Sequence, residues 1–421
     1  MPAREWANRE RPIRASVWAR RSGLTFAAGV ALTSFSAPAS AVEIAAGDWK
    51  FTASGNVNVH YIASSCEDET APVVGGGLAC RGSAGEDKSS SISNGLLPAA
   101  LAIGASTTQN GYDLGVTFGF FPGISTNDGS PNLQQGAPLL NTALGTTGLD
   151  IRQVFMTFGN ESLGTFMLGR NIGLFGADVI LNDMTLPGVG AGNGNYAAPA
   201  NTSLGSIGLG YIYTDWLGQI NYTTRDFGGF KLTIGVFDPL EPILQGVPTP
   251  EGSPGFHGKL AYTNGPIYVS ATFISQQHEG LTNASDFDSV GFDVGGKFTF
   301  GPAEFMAWYY QGEGLGTTGL FLFSDDGAGN ERDSDGFLAQ VTYKFGDTKV
   351  GVNYGESNLD LASGEASSAL VESNQKFTVG AYHSLTKNLT LLAEFTDVTS
   401  EAHNGVENDS SNFNIGAYLS F

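Results

Sequence analysis

The chain has 421 residues, of which 59 are Gly and only 14% are charged, and its 41 acidic residues outnumber its 20 basic ones to give a net charge of −21. That composition lacks the Leu, Ala, Lys and Glu richness of a helical protein, and its negative field repels nucleic acid and attracts cations. After the N-terminal segment no stretch has the 18 or so consecutive apolar residues of a membrane helix.

At the N-terminus, Arg4, Arg9, Arg11, Arg14, Arg20 and Arg21 precede an apolar run, LTFAAGVALTSF, that ends in Ala39-Ser40-Ala41. A basic region, an apolar run and a small-residue site describe a secretory signal peptide over residues 1–41, cut after Ala41. The basic region is long for a signal, and Val17 stands where a non-Met start codon would place a conventional one. Arg20-Arg21 reads as the positive end of the signal rather than as a twin-arginine export motif, because that route carries folded cargo. Cleavage removes six Arg and two Glu, leaving 14 basic and 39 acidic residues and a net charge of −25.

The first mature strand sets the pattern for the rest. Trp49, Phe51, Ala53, Val57, Val59 and Tyr61 alternate with Lys50, Thr52, Ser54, Asn56, Asn58 and His60, one face apolar and the other hydrophilic. Cys66 and Cys80 follow in one polar segment, and in an oxidising compartment the only two cysteines are expected to form a disulfide. A thiol metal site is the competing reading, weakened by the lack of a neighbouring His.

Alternation returns in Tyr112, Leu114, Val116, Phe118 and Phe120, in LDIRQVFMTFG and GTFMLGRN after Leu149, in Phe292, Val294, Phe298 and Phe300, and in Val350, Val352 and Tyr354. Tight turns at Asn110-Gly111, Asn264-Gly265, Gly301-Pro302 and Gly346-Asp347 alternate with long acidic loops such as residues 312–335. Short turns at one end and long loops at the other describe an up-and-down sheet, with roughly sixteen strands on this count. Their expected starts fall near residues 49, 94, 112, 149, 165, 212, 230, 255, 266, 288, 303, 335, 348, 374, 389 and 411. The loop beginning NIGLFGADVILNDMTLPGVGAGNGNY is far longer than a connection needs, which points to a task of its own.

A soluble sandwich would alternate too, but three features favour a closed membrane barrel. Aromatic residues, including Trp49, Tyr61, Tyr112, Phe300, Phe345 and Tyr354, stand at strand ends, as lipid-interface girdles require. An even strand number brings both termini to the short-turn end. The chain also stops inside a strand, with Phe413, Ile415, Ala417, Leu419 and Phe421 on one face, an edge that only closure against the first strand would satisfy.

With these residues the chain resembles the general diffusion porins of Gram-negative outer membranes. The architectural likeness covers residues 42–421. The motif-level likeness covers about residues 150–188, where RQVFMTFGNESLGTFMLGRN, GLFGADV and NDMTLPG are similar to the fourth and fifth strands and the inward-folded third loop of that family. The resemblance implies an all-β, sixteen-stranded antiparallel transmembrane barrel with a long third loop folded into the lumen. It also implies a homotrimer in the outer membrane, in contact with lipid and lipopolysaccharide. Tyr418 and Phe421 are similar to the signal read by the outer-membrane assembly machinery, and no cofactor is implied.

If Ile151 and Phe155 face outward, Arg152 points into the lumen, where the resemblance implies a pore-wall arginine facing constriction-loop acids, here Asp178 and Asp183. The alternative for the two aspartates is capping of turns within the loop. Lys50 and Lys259 are inward by parity, and Leu217 falls where a further arginine is expected, which favours a less basic and more cation-selective constriction. Arg170 shares parity with Phe166 and Leu168 and so leaves the barrel. A charge facing lipid costs a few kcal/mol near mid-membrane, and in the resembled family the matching arginine sits at the trimer interface; the second loop, residues 123–148, offers Asp128 as its partner.

Inward Lys50, Lys231, Lys297, Lys344, Lys349 and Lys376 are expected mostly near the short-turn end. Glu67, Asp68, Glu69, Asp325, Asp326, Glu331, Asp333, Asp335, Glu401, Glu407 and Asp409 crowd the long loops. Such a lengthwise asymmetry would rectify current, unless salt screens it, and the acids could bridge to lipopolysaccharide through divalent cations. Catalysis is not expected: His60, His257, His278, His383 and His403 are scattered without a nucleophile motif, and GVGAGNGNYAAP lacks the Lys-Ser/Thr ending of a nucleotide loop. Three readings remain: a passive cation-preferring channel, a sugar or amino-acid channel lined by Tyr196, Phe175, Trp216 or Tyr310, and a structural or adhesive barrel with a plugged lumen.

Overall fold

The computed structural model describes residues 41–67, 73, 75–80, 86–124, 149–192, 202–240, 251–280 and 285–421. The signal-peptide region, Asp128 and Tyr196 lie outside these residues. Along the chain come β1 (Val42–Ala46), β2 (Trp49–Cys66), β3 (Lys88–Ser93), β4 (Ala100–Gln109), β5 (Tyr112–Pro122), β6 (Leu149–Asn160), β7 (Gly164–Ile172) and the short helix α1 (Ala177–Asn182). They are followed by β8 (Trp216–Thr223), β9 (Phe230–Phe237), β10 (Gly255–Asn264), β11 (Ile267–His278), β12 (Phe287–Phe300) and β13 (Ala303–Glu313). The last five are β14 (Asp333–Phe345), β15 (Thr348–Leu359), β16 (Val371–Ser384), β17 (Leu389–Ala402) and β18 (Glu407–Ser420).

Each strand pairs antiparallel with its neighbour, and β18 pairs with β2, so the sheet closes. The eighteen described segments form sixteen staves, because two staves are each built from two pieces. On one edge of β2, β18 covers Asn56–Cys66 while β1 covers Trp49–Ala53, so the chain's two ends together make one stave. On the other edge, β3 pairs with His60–Ser65 and β4 with Lys50–Asn56.

The strand expected near residue 94 is instead a break between β3 and β4, within the run LLPAALAIGA. Pro98 cannot donate to a ladder, and Asn58 of β2 fills the break instead: its side-chain amide donates to the carbonyls of Leu97 and Pro98, and its side-chain oxygen accepts from Gly95 N. The strand expected near 212 starts at Trp216, and Val42–Ala46 adds a short segment that sequence alternation did not reveal.

Alternation sorts the wall into two faces. Outward Phe51, Val59, Phe118, Ile234, Phe292, Val341, Val379 and Phe413 are exposed, whereas inward Asn56, Asn58, Thr117, Asn221, Gln340, Asn353, Thr378 and Asn414 are buried. An apolar exterior around a polar interior is the inverse of a soluble protein and fits a hydrocarbon solvent. At the short-turn end the exterior carries ring pairs: Phe158–Phe166 at 5.0 Å, Phe166–Tyr222 at 4.9 Å, Phe230–Tyr262 at 4.3 Å and Tyr343–Phe345 at 4.4 Å. Such a belt suits the boundary between lipid and water.

Candidate pore site

The site is built from the β6–β7 hairpin and the segment between β7 and β8. In β6, Ile151 faces outward, but so do Val154 and Met156, while Phe155 is buried on the inner side. The alternation therefore breaks between Ile151 and Val154. Register shows how: Phe120 of β5 pairs with Ile151 and Gly119 with Gln153, so Arg152 is the extra residue of a β-bulge. The expectation that Ile151 and Phe155 share the outward face fails at Phe155, because the bulge flips the faces between them. Arg152 nonetheless turns inward, where its guanidinium lies 3.1 Å from Asp150 and 5.3 Å from the centroid of the Phe121 ring.

Arg152 thus pairs with Asp150, and the described contacts of Asp178 and Asp183 lie elsewhere. Beyond β7, Gly176 enters α1 with φ +74, a left-handed conformation that glycine adopts without strain. Its N–H donates to Asp293 of β12 at 2.7 Å. Two residues on, Asp178 meets Lys259 of β10 at 2.9 Å and accepts from the Tyr268 hydroxyl of β11 at 2.6 Å. Burial opposes ionisation of Asp178, yet the Lys259 ammonium and hydrogen bonds from Tyr268 and Ser270 outweigh it and hold its pKa below the ordinary 3.8.

Asp183 is 0% exposed, so it does not present a carboxylate to open lumen. Its oxygens accept from Thr185 N, the Thr185 hydroxyl, the Tyr211 hydroxyl and Asn353 of β15, which makes it an internal brace of the loop. Burial, then the Asp183 carboxylate, push the Tyr211 hydroxyl well above its ordinary pKa, so it stays a donor. The turn-capping alternative describes Asp183 better than the pore-lining one.

The rest of the segment is stitched to the wall in sequence. Met184 N donates to Gln340 of β14, and Gln340 returns a bond to Asn182 O. Val189 N and Gly190 N both donate to Glu394 of β17, at 2.8 and 2.9 Å, forming a small nest of amides around one carboxylate. Gly188 permits that approach, since a Cβ there would lie 2.1 Å from a Glu394 oxygen. Gly192 N donates to Asn412 of β18, and Leu96 N and Ser203 N join the loop to the β3–β4 break. On the return, Lys376 of β16 donates to Gly205 O and Ser206 Oγ, and Gly210 N donates to Ser357 of β15.

Beneath these bonds an apolar layer forms from both sides: Val179, Ile180, Leu186, Leu204, Ile207 and Leu209 of the segment pack on inward Met306, Trp308 and Leu338. Phe175 and Ile212 pack on Leu217, Phe237, Ile274 and Tyr310. Leu217, at a position where an arginine was expected, is therefore a packing residue. Phe175 and Tyr310, each 2% exposed, belong to this core and not to a solute path, whereas Trp216 and Tyr213 remain half-buried at its margin.

Arg170 is exposed and pairs in register with outward Val154, on the barrel's exterior. Cys66 and Cys80 are disulfide-linked, with Cα atoms 5.0 Å apart. Phe421 bonds through both backbone groups to Gly55, and Tyr418 is buried on the inner face. Lys50, Lys231, Lys344 and Lys349 stand beside short turns as expected by parity. Lys376 does not: it lies nearer the long-loop end of β16, 1% exposed and committed to the loop.

Sequence reading missed three wall groups that hold the segment, Asp293, Glu394 and Gln340, and took Lys376 as inward without its tie to the loop. The available signal was a lone charge at inward parity inside an otherwise apolar strand, as in LTLLAEFTDV. Among the described residues no group of His, Cys, Asp and Glu has the arrangement of a metal site.

Among solved structures, the outer membrane channel DcaP of Acinetobacter baumannii matches with a TM-score of 0.67 at 15% identity, covering 90% of this chain and 99% of that one. Salmonella typhi OmpF, solved in complex with daunomycin, matches with 0.56 at 14% identity, covering 90% and 100%. OmpT of Vibrio cholerae matches with 0.55 at 15% identity, over the same shares. At such identities the likeness speaks to the fold alone. A comparison with curated proteins found no match. The model of the Gram-negative porin family matches residues 27–403. The chain therefore belongs to the Gram-negative porins, outer-membrane β-barrel channels rather than enzymes.

Proposed function

We propose that the chain forms a passive, water-filled, cation-preferring channel for ions and small hydrophilic solutes, assembled as a homotrimer. The observation that carries the cation preference is local neutralisation. Arg152 stands 3.1 Å from Asp150, and Lys259 stands 2.9 Å from Asp178, so neither cation leaves an unbalanced positive wall beside the loop. The sign of the field then falls to the outer loops, where Asp325, Asp326, Glu331, Asp333, Asp360 and Glu401 far outweigh Arg332. These acids also suit divalent cations shared with lipopolysaccharide phosphates.

Lys50, Lys231, Lys344 and Lys349 gather at the opposite end, and Lys344 directly faces Lys349 across the β14–β15 hairpin. A negative mouth and a more positive exit should make current depend on the sign of the voltage at low salt. Arg170 supports assembly: on the neighbouring β6, Leu149 and Ile151 continue the apolar exterior beyond its level, so lipid is a costly neighbour and a second subunit a better one. Asp128 is the proposed partner in the adjoining subunit. Tyr418 and Phe421 are the proposed assembly signal, and residues 1–41 the proposed secretory signal.

Single-channel recording in planar bilayers tests the channel reading. Discrete current steps that grow in proportion to KCl concentration are expected. Absence of any step from protein that migrates as a folded trimer would establish the plugged-barrel alternative.

A further inference from the structure

We propose that the loop between β13 and β14, residues 314–332, is a second inward-folded strap that narrows the outer half of the pore, and that the Arg332–Glu365 ion pair is the latch that holds it there. The inference rests on the channel reading. An inward side chain of a water-filled barrel is wet unless something covers it. In the outer half of β11 to β14, His278, Ser289, Tyr310 and Ser334 point inward and are all buried. The pore loop covers them only in part. Leu315, Leu320 and Phe321 enter the same core as Phe175 and Ile212 of the pore loop, and the Phe321 ring stands edge-on to His278 at 4.5 Å. Tyr213 N donates to Thr318 O at 2.8 Å, so the two loops are joined inside the barrel.

The strap holds this position under strain. Thr318, Phe321 and Phe323 have φ of 66°, 62° and 64°, so three non-glycine residues between 318 and 323 adopt the left-handed region. Such strain persists only where the surroundings over-determine the conformation, and here they do. Phe321 N donates to Leu315 O, Thr317 N to Leu322 O and Arg332 N to Ser324 O, which closes the strap on itself. Ser289 Oγ donates to Gly314 O at 2.6 Å and ties the start of the strap to β12.

At the far end, buried Arg332 joins three segments. Its Nε and Nη2 donate to the two Glu365 oxygens at 2.8 and 2.6 Å, a bidentate pair, and its Nη1 donates to Phe323 O and Asp325 O. Glu365 lies in the loop between β15 and β16 and also accepts from Ala362 N at 3.0 Å. The guanidinium thus pins the stem of the strap to the adjacent loop, while Phe323 packs on a cluster that includes Val73 and Leu370. Charge-assisted bidentate pairs are among the stronger and more geometrically specific polar contacts. Without this one the strained strap has less to keep it inward, and its outward release exposes the wall of β11 to β14 to water.

The test is single-channel conductance in about 1 M KCl, where screening removes most of the effect of the altered charge itself. Arg332→Gln and Glu365→Gln are each expected to raise mean conductance and open-channel noise above wild type, with heat-modifiable mobility on gels confirming the fold. Where one of the two fails to fold, the other carries the same reading. A Ser324→Cys reporter, at a buried position of the strap, reads its placement without current. A membrane-impermeant maleimide should label it about tenfold faster once Arg332→Gln is added. Folded variants with unchanged labelling overturn the latch, and faster labelling with wild-type conductance overturns the narrowing. In both cases the wild type still conducts, so the channel reading stands. Folded wild-type protein that gives no current steps overturns the channel reading itself, and the narrowing with it.

Discussion

Replacing Glu394 by Ala should free the tip of the pore loop without unfolding the barrel. Glu394 is 1% exposed and accepts four hydrogen bonds: from Val189 N at 2.8 Å, Gly190 N at 2.9 Å, Asn414 Nδ2 at 3.1 Å and the Tyr382 hydroxyl at 2.6 Å. An orphaned buried donor costs about 1–3 kcal/mol, so leaving both backbone donors in place against alanine costs the docked tip roughly 2–6 kcal/mol. The loop escapes that cost by moving into water, and each 1.4 kcal/mol or so shifts the docked-to-undocked ratio about tenfold. Nearby holds survive, among them Gly192 to Asn412 and Ser203 to Gly95, so the release is local. The β17 backbone keeps its register with Gly380 and Asn414 whatever side chain stands at Glu394, and heat-modifiable mobility on gels should be retained. Single-channel recording should show raised open-channel noise and an altered mean conductance, with Glu394→Gln intermediate because it keeps an acceptor but loses the charge. A Glu394→Ala channel with wild-type noise and conductance would refute this role for the carboxylate.

Asp178→Asn should move the reversal potential toward anions, since Lys259 then loses the carboxylate that neutralises it; an unchanged reversal potential counts against local neutralisation. The depressed pKa of Asp178 fixes the sign of its pH dependence. Its contribution is fully present above the ordinary 3.8 and is lost as pH falls through the lower folded value, so the difference in open-channel noise between wild type and Asp178→Asn should stay constant from neutrality to about pH 4 and shrink only below it. Arg170→Glu should lower the temperature at which trimers dissociate on gels, and an unaltered trimer would remove Arg170 from the interface. Reduction of Cys66–Cys80, whose sequence separation is 14, should relax the outer loop by up to about 3 kcal/mol and speed its proteolysis while leaving conductance intact.

Much of the barrel was legible because its cause is local. A wall one residue thick, with hydrocarbon on one side and polar groups on the other, imprints period-two alternation on each strand, and Asn-Gly and Gly-Pro turns punctuate it. Two departures were illegible for the same reason. Pro98 splits a stave that Asn58 then completes from the adjacent strand, and the bulge at Arg152 reverses parity within five residues; both depend on what the neighbour does, which alternation does not encode.

Legibility falls further at the loop. Asp178 and Asp183 stood out as acids in a Gly-rich segment, but their partners, Lys259, Tyr268, Asn353 and Tyr211, come from positions 28 to 170 residues away. Spacing carries no trace of such contacts. What the sequence did carry was the charge at inward parity in β12, β16 and β17: Asp293, Lys376 and Glu394 each interrupt a strand at a level where neither lipid nor short turn accounts for them. A buried charge needs a partner, and the long loop was the segment with backbone groups to spare.

The proposed cation preference, with Arg152 and Lys259 neutralised by Asp150 and Asp178, is tested most directly by the reversal potential across a KCl gradient. With the concentrated side taken as reference, the zero-current potential should have the sign that K⁺ diffusion produces, and should be larger at low salt where screening is weak. A potential of zero, or of the sign set by Cl⁻, would contradict it.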